Sequence, residues 1–151
     1  MSQVVDLIFH SELRASRDRV WAWITSVEGI SRELWPILKM TAPRNARSIQ
    51  DVLIEPGKPL FRSWILLFGV LPVDRSDLTL LQLEEGTGFV EESPMLSMSL
   101  WRHERSLATN GEGTILKDML TFKPRLATPL MKWFIQTVFT HRHVVLRRQF
   151  R

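Results

Sequence analysis

An α+β fold, an antiparallel sheet of six to seven strands completed by one long C-terminal helix, is what three observations in the sequence predict. Six segments either alternate apolar and polar residues or are rich in β-branched and aromatic ones, and turn chemistry separates them. From Leu130 to Arg151 the chain has neither Gly nor Pro and repeats apolar residues at helical spacing. The 151 residues hold no internal repeat and are 44% hydrophobic against 24% charged, which suits one compact domain spanning residues 1–151.

In chain order, Val4 to Leu13 put Val5, Leu7 and Phe9 on one parity with Asp6, His10 and Glu12 on the other, the pattern of a half-buried opening strand. Ser16 can cap a helix over 17–25, with Asp18 in its first turn and Val20, Trp23, Ile24 and Val27 at helical spacing. Gly29 punctuates, a second helical piece lies near Ser31 to Leu34, and Trp35-Pro36 ends it because the residue before proline is pushed toward extended geometry. Ser48 to Ile54 is a weak strand among Pro43, Pro56, Gly57 and Pro59. Strands then follow at Leu60 to Phe68, Asp77 to Glu84, Gly88 to Ser93, Leu96 to Thr109 and Thr114 to Phe122. The breaks at Pro72 to Asp74, Glu85 to Gly88, Ser93-Pro94 and Asn110-Gly111 carry turn residues, and their short spacing favours a meander. Thr128 as cap and Pro129 at the first helical position open the last helix, whose expected stripe is Leu130, Phe134, Val138, His141 and Val145, with Met131, Trp133, Ile135, Leu146 and Phe150 on its flanks.

Composition excludes several chemistries. With no Cys and no Tyr there is no disulfide, cysteine nucleophile, thiolate metal site or phenolic acid. No phosphate loop, dinucleotide fingerprint, serine elbow or zinc spacing occurs, so no cofactor is implied. Among the four His, His141 and His143 stand two apart on a helix and face different ways, which argues against a metal. The net charge of +4 is uneven: residues 1–118 hold 13 Lys/Arg and 16 Asp/Glu, while residues 119–151 hold seven cations and no acid. That tail reads as the solvated face of a helix, or as a patch attracted to anionic lipid. It lacks a nucleic-acid-binding motif, so no nucleic-acid partner is expected. The start of the chain has no cationic, apolar leader, and the longest apolar run, Trp64 to Val73, falls short of a membrane span; a cytoplasmic protein is the expectation. The six Trp sit in apolar-periodic segments and read as core, and Glu84-Glu85 and Glu91-Glu92 read as solvated edges.

Several short motifs run along the chain. Ala15-x4-Val20-Trp21-x2-Ile24 with Glu28-Gly29, Trp101-x-His103, Gly113-Thr114-x3-Asp118 and Phe139-x2-Arg142-His143-x2-Leu146-x3-Phe150 together resemble the pattern of bacterial polyketide cyclase/START-like proteins, the SRPBCC superfamily with its Bet v 1-like helix-grip fold. The resemblance implies a curved sheet wrapped around the C-terminal helix and a deep apolar pocket for a lipid-, aromatic- or polyketide-like molecule. It implies no single activity, since members of that superfamily include carriers, sensors and cyclases. Arg105 stands where such relatives more often carry His or an aromatic residue, and the lack of Tyr removes tyrosine-assisted cyclisation.

The Asn110-Gly111 turn sets the register of the last hairpin. With those two residues as the loop, His103 opposes Asp118; with a loop from Asn110 to Gly113, Arg105 does. In either register Trp101, His103, Arg105, Leu107, Leu116, Asp118, Leu120 and Phe122 share one face, and its apolar majority assigns it to the interior. Inward His103, Arg105 and Asp118 must find partners. They form either a buried brace, joined by His141 or Arg142 from the helix, or the polar end of a pocket walled by Trp101, Leu120, Phe122, Trp133, Phe134, Val138 and His141. In the second case Arg105 binds a ligand anion, and His103, its tautomer held by Asp118, exchanges hydrogen bonds with the ligand or acts as acid/base. The leading function is binding of a hydrophobic or amphipathic small molecule. The alternatives are a polyketide cyclase/dehydratase-type enzyme in the same pocket, with His103 and Asp118 as catalytic candidates, and peripheral lipid transfer at anionic membranes. The protein is expected as monomer or homodimer.

Overall fold

The computed structural model describes residues 3–49 and 57–151. The chain runs β1 (Val5–Leu13), α1 (Arg17–Ile24), α2 (Val27–Leu34), β2 (Leu38–Met40), β3 (Pro59–Leu67), β4 (Leu71–Glu84), β5 (Gly88–Glu92), β6 (Met98–Asn110), β7 (Gly113–Pro124) and α3 (Thr128–Gln149). The seven strands make one curved antiparallel sheet in the order β1-β7-β6-β5-β4-β3-β2, and α3 lies across its concave face. This is the helix-grip arrangement.

The first strand, the first helix and the four strands of residues 59–67, 88–92, 98–110 and 113–124 fall where the sequence pattern puts them. Ser16 caps α1 by accepting from the Arg19 amide, as its side chain predicts. Elsewhere local signals mislead. Helix α2 begins at Val27 rather than near Ser31, because the Ser26 hydroxyl caps it through the Gly29 amide at 2.9 Å. Gly29 is therefore no breaker but the residue that lets α2 approach α1: a Cβ there would lie 2.1 Å from the Trp23 carbonyl oxygen. Strand β4 starts at Leu71, since the chain reverses at Phe68 and Gly69 with positive φ and Pro72 sits inside the strand instead of ending it. Strand β2 was not anticipated. The weak strand expected at Ser48 to Ile54 lies mostly outside the described residues; Ser48 itself bridges Ser26.

Thr128 does not cap α3. Ala127, at φ 53°, holds that position with no side-chain bond, and Pro129 follows in the first turn. The inner face of α3 is Ile135, Val138, Phe139, Arg142, His143 and Leu146, turned by about 100°, one residue's rotation, from the expected stripe. Leu130 and Trp133 consequently face outward, 61% and 62% exposed. Of the six Trp, Trp21 and Trp101 are buried, whereas Trp35, Trp64 and Trp133 are exposed.

Two apolar clusters fill the space between α3 and the sheet. One, around Trp101, Leu120, Phe122, Val138 and Phe139, lies beneath the first half of α3; the other, around Leu13, Val20, Ile24, Leu107, Leu116 and Leu146, joins α1 to its end. Burying each Leu or Phe contributes about 1.5–3 kcal/mol. Along every element that crosses the interior, polar side chains stand between the two: Ser11 on β1, Asp118 between Leu116 and Leu120, His103 and Arg105 between Trp101 and Leu107, Arg142 and His143 between Phe139 and Leu146. Among the described residues no helix is long and apolar enough to cross a membrane.

Candidate functional site

The β6–β7 register decides which of these polar groups meet. Asn110 pairs with Gly113 and Arg105 with Asp118, so the turn centre is Gly111-Glu112, one step beyond Asn110-Gly111, with Gly111 at φ +61°. Of the two registers the sequence left open, the longer one forms, and the shared face is buried throughout: Trp101, His103, Arg105, Leu107, Leu116, Asp118, Leu120 and Phe122 are each at most 8% exposed.

Asp118 is the hub. Its Oδ1 accepts from His103 Nε2 at 2.6 Å and Arg105 Nε at 2.8 Å, its Oδ2 from Arg105 Nη2 at 2.9 Å and His143 Nε2 at 2.7 Å. The other side of the Arg105 guanidinium donates to both oxygens of Glu33, at 3.2 and 2.9 Å, and Arg142 Nε adds a bond to Glu33 at 3.1 Å. Glu33 is delivered from the inner face of α2, at helical spacing from Ile30 and beside Leu34, and is fully buried. Burial alone would raise the Asp118 carboxyl, but Arg105 and His103 outweigh it and hold Asp118 well below the usual carboxylate range. Burial would likewise lower Arg105; Asp118 and Glu33 override it and raise the guanidinium further. For Arg142 burial wins over Glu33, and its value falls.

Because an ionised carboxylate only accepts, both histidines present a protonated Nε2 to Asp118. His143 Nδ1 meets Ser11 Oγ at 2.7 Å, and Ser11 in turn accepts from Arg147 at 2.9 Å, so that ring is fully engaged. His103 is different. Its Nδ1 faces Glu91 Oε1 at 3.7 Å, too far for a hydrogen bond.

His103 borders a cavity, partly open to solvent, that lies between α2, the segment 40–49 and strands β3 to β6. Its walls are Ile24, Val27, Ile30, Met40, Phe61, Leu80 and Phe89 among others, and its charged groups are Glu91, His103 and Arg142. Glu91 is buried rather than at a solvated edge: it lies opposite His103 in the ladder, shares strand parity with Phe89, and accepts from Ser93 Oγ at 2.7 Å. Phe89 and Phe139 hold the His103 ring edge-on from two sides, and Arg142 stacks on Phe139 at 4.9 Å.

Of the residues picked from sequence, the structure brings His103, Arg105 and Asp118 together, but only His103 lines this cavity. The Arg105 guanidinium is spent on Glu33 and Asp118. Trp101, Leu120, Phe122 and Val138 are packed in the core cluster, Phe134 lies against it, and Trp133 points away. His141 donates to or accepts from nothing in the cluster; its Nε2 bonds the Trp35 carbonyl at 2.7 Å, and His143 is the helix histidine that reaches Asp118. Glu33, Glu91 and His143 went unselected. Helical phase with Ile30 and Leu34, parity with Phe89, and phase with Phe139 and Leu146 are the signals that mark them.

A curved seven-stranded antiparallel sheet gripping a C-terminal helix is the helix-grip fold. The chain belongs to the family described as Domain of unknown function (DUF8410), whose profile matches residues 11–150. No curated protein sequence matches it. Similar solved structures are the Zhui aromatase/cyclase from Streptomyces sp. R1128 (12% identity, covering 97% of this chain and 93% of that one, TM-score 0.69) and a START superfamily protein from Mycobacterium smegmatis (11%, 96% and 96%, 0.65). Protein CV1439 from Chromobacterium violaceum is similar too (13%, 94% and 96%, 0.64). At these identities the likeness establishes the fold.

Proposed function

We propose that the protein binds a hydrophobic or amphipathic small molecule in the cavity between α2, residues 40–49 and β3 to β6. The observation that carries the reading is the contrast within that cavity: aliphatic and aromatic walls, and one polar end made by His103, Glu91 and Arg142. Such a polar end suits a ligand hydroxyl or amine at the end of an apolar body. The Glu33–Arg105–Asp118 brace supports this by fixing the His103 ring before a ligand arrives, which lowers the cost of ordering it. Native mass spectrometry of the purified protein, followed by denaturing extraction, should release a small molecule, or the protein should bind an anilinonaphthalene sulfonate probe saturably. Ile30→Trp, which fills the cavity, should remove either signal while leaving the circular dichroism spectrum unchanged. Absence of both signals in the wild type, or their persistence in Ile30→Trp, would defeat the reading.

A second reading is supported by the His103–Asp118 pair. An imidazole whose Nε2 proton is held by a carboxylate and which borders an apolar cavity is arranged as a general base, and could assist cyclisation or dehydration of a polyketide- or aromatic-like substrate. Under it, His103→Gln keeps ligand binding and loses turnover.

A further inference from the structure

We infer that one end of the molecule, formed by the β3–β4 turn and the start of α3, is a docking surface for an anionic lipid bilayer. At the β3–β4 turn, Phe68, Val70 and Leu71 are 64%, 79% and 56% exposed. At the start of α3, Leu126, Leu130 and Trp133 are 81%, 61% and 62% exposed. Large apolar side chains exposed this far and in groups mark an interaction site.

Hydrogen bonds tie the two groups to the same end. Asp74 of β4 binds Ser97, the Leu96 amide donates to the Arg75 carbonyl, and the Arg125 amide and Nε donate to Ser97 and Leu96, so the first residues of β4, the 94–97 segment and the approach to α3 form one continuous rim. The turn is firmly presented. The Phe68 amide bonds the Ile37 carbonyl at 2.8 Å, and a Cβ on Gly69 would stand 2.6 Å from the Trp35 ring.

Charge selects the partner. The segments that build this end, residues 35–40, 67–76, 94–97 and 123–133, carry Lys39, Arg75, Lys123, Arg125 and Lys132 against a single acid, Asp74, which is buried and hydrogen-bonded. An apolar rim with five cations, bordered by two acids that are themselves bonded, Asp6 to Thr121 and Asp77 to Arg62, complements anionic headgroups over an acyl boundary. The basic C-terminal tail is thereby divided. Lys123, Arg125 and Lys132 lie at this end and Arg142 is buried, whereas Arg147, Arg148 and Arg151 lie at the far end of α3, about 30 Å away, where Phe150 packs on Trp23.

The test is flotation with large unilamellar vesicles of phosphatidylglycerol and phosphatidylcholine in equal parts, beside vesicles of phosphatidylcholine alone. The full-length protein should float with the anionic vesicles at low salt, remain behind with the neutral ones, and lose binding as salt screens the charges. Lys132→Glu should weaken partition by at least about fivefold, the equivalent of one cation near the surface. The double variant Val70→Glu/Leu130→Glu should abolish it with an unaltered melting curve, since both residues are exposed in the free protein; Arg148→Glu at the far end should bind like wild type. No flotation with anionic vesicles at low salt overturns the inference. So does flotation that survives Val70→Glu/Leu130→Glu, or a dimer in sedimentation velocity that this double variant dissolves, which would give the rim to a second copy of the chain.

Discussion

Replacing Asp118 by Asn tests the buried network at its hub. The amide keeps the shape but removes the charge that Arg105 meets through Nε and Nη2, and its NH2 group, wherever it points, confronts donors from His103, Arg105 or His143. Asp118 is 0% exposed and Arg105 1%, so water cannot substitute. Breaking a buried pair from one side costs about 3–5 kcal/mol, a large share of the 5–15 kcal/mol that holds an ordinary domain together. At roughly 2–4 °C per kcal/mol for a chain of this length, the melting temperature should fall by about 6–20 °C. Urea denaturation at neutral pH measures the difference directly. The pH dependence gives the sharper signature. Asp118 is depressed when folded, so the folded state binds fewer protons there than the unfolded state, and its contribution is complete above the unfolded value near 4 and lost as pH falls toward the folded value. The gap between wild type and Asp118→Asn should therefore narrow as pH falls below about 4. A cost under about 1 kcal/mol at pH 7, or a gap unchanged down to pH 3, would refute the claim that this carboxylate is an ionised, paired hub.

Other consequences follow from the same geometry. Arg105→Lys keeps the charge yet cannot bridge two carboxylates with a planar fork, so it should destabilise by about 2–4 kcal/mol in the same urea assay; a loss under 0.5 kcal/mol would mean that the paired geometry contributes little. Gly29→Ala drives a methyl into the Trp23 carbonyl and should cost about 1–3 kcal/mol, against the gain that Gly-to-Ala usually brings in a helix.

Much of the architecture is legible because local rules and tertiary needs agree. Alternation along β1, β6 and β7 names the buried face correctly, since a sheet with one covered side cannot tolerate a slip of one residue. The Asn110-Gly111 pair locates the hairpin, although it leaves two registers and only packing selects the one that sets Arg105 against Asp118. Where two local cues compete, the pattern misleads. Gly29 reads as a break because nothing local shows that α1 and α2 touch there, and three-residue β2 is too short to display a period. The face of α3 is ambiguous for a related reason: aromatic and aliphatic residues surround it, because its first turns expose Leu130 and Trp133 on a surface of their own.

From the sequence by itself came the order of the helices and of every strand but β2, the interior face of the last hairpin, and the demand that His103, Arg105 and Asp118 be satisfied there. Those are consequences of short-range stereochemistry and of the cost of burying charge, both readable within a few residues. Only the tertiary structure decided what satisfies them. Glu33 lies 72 positions from Arg105, and His143 lies 25 from Asp118 and 132 from Ser11, so no local period links them. Their meeting is set by how α2 and α3 dock on the sheet, and the same docking leaves the cavity beside His103. Which groups share a buried charge is a property of packed elements, because the pairing energy exists only once water has been excluded from all of them at once.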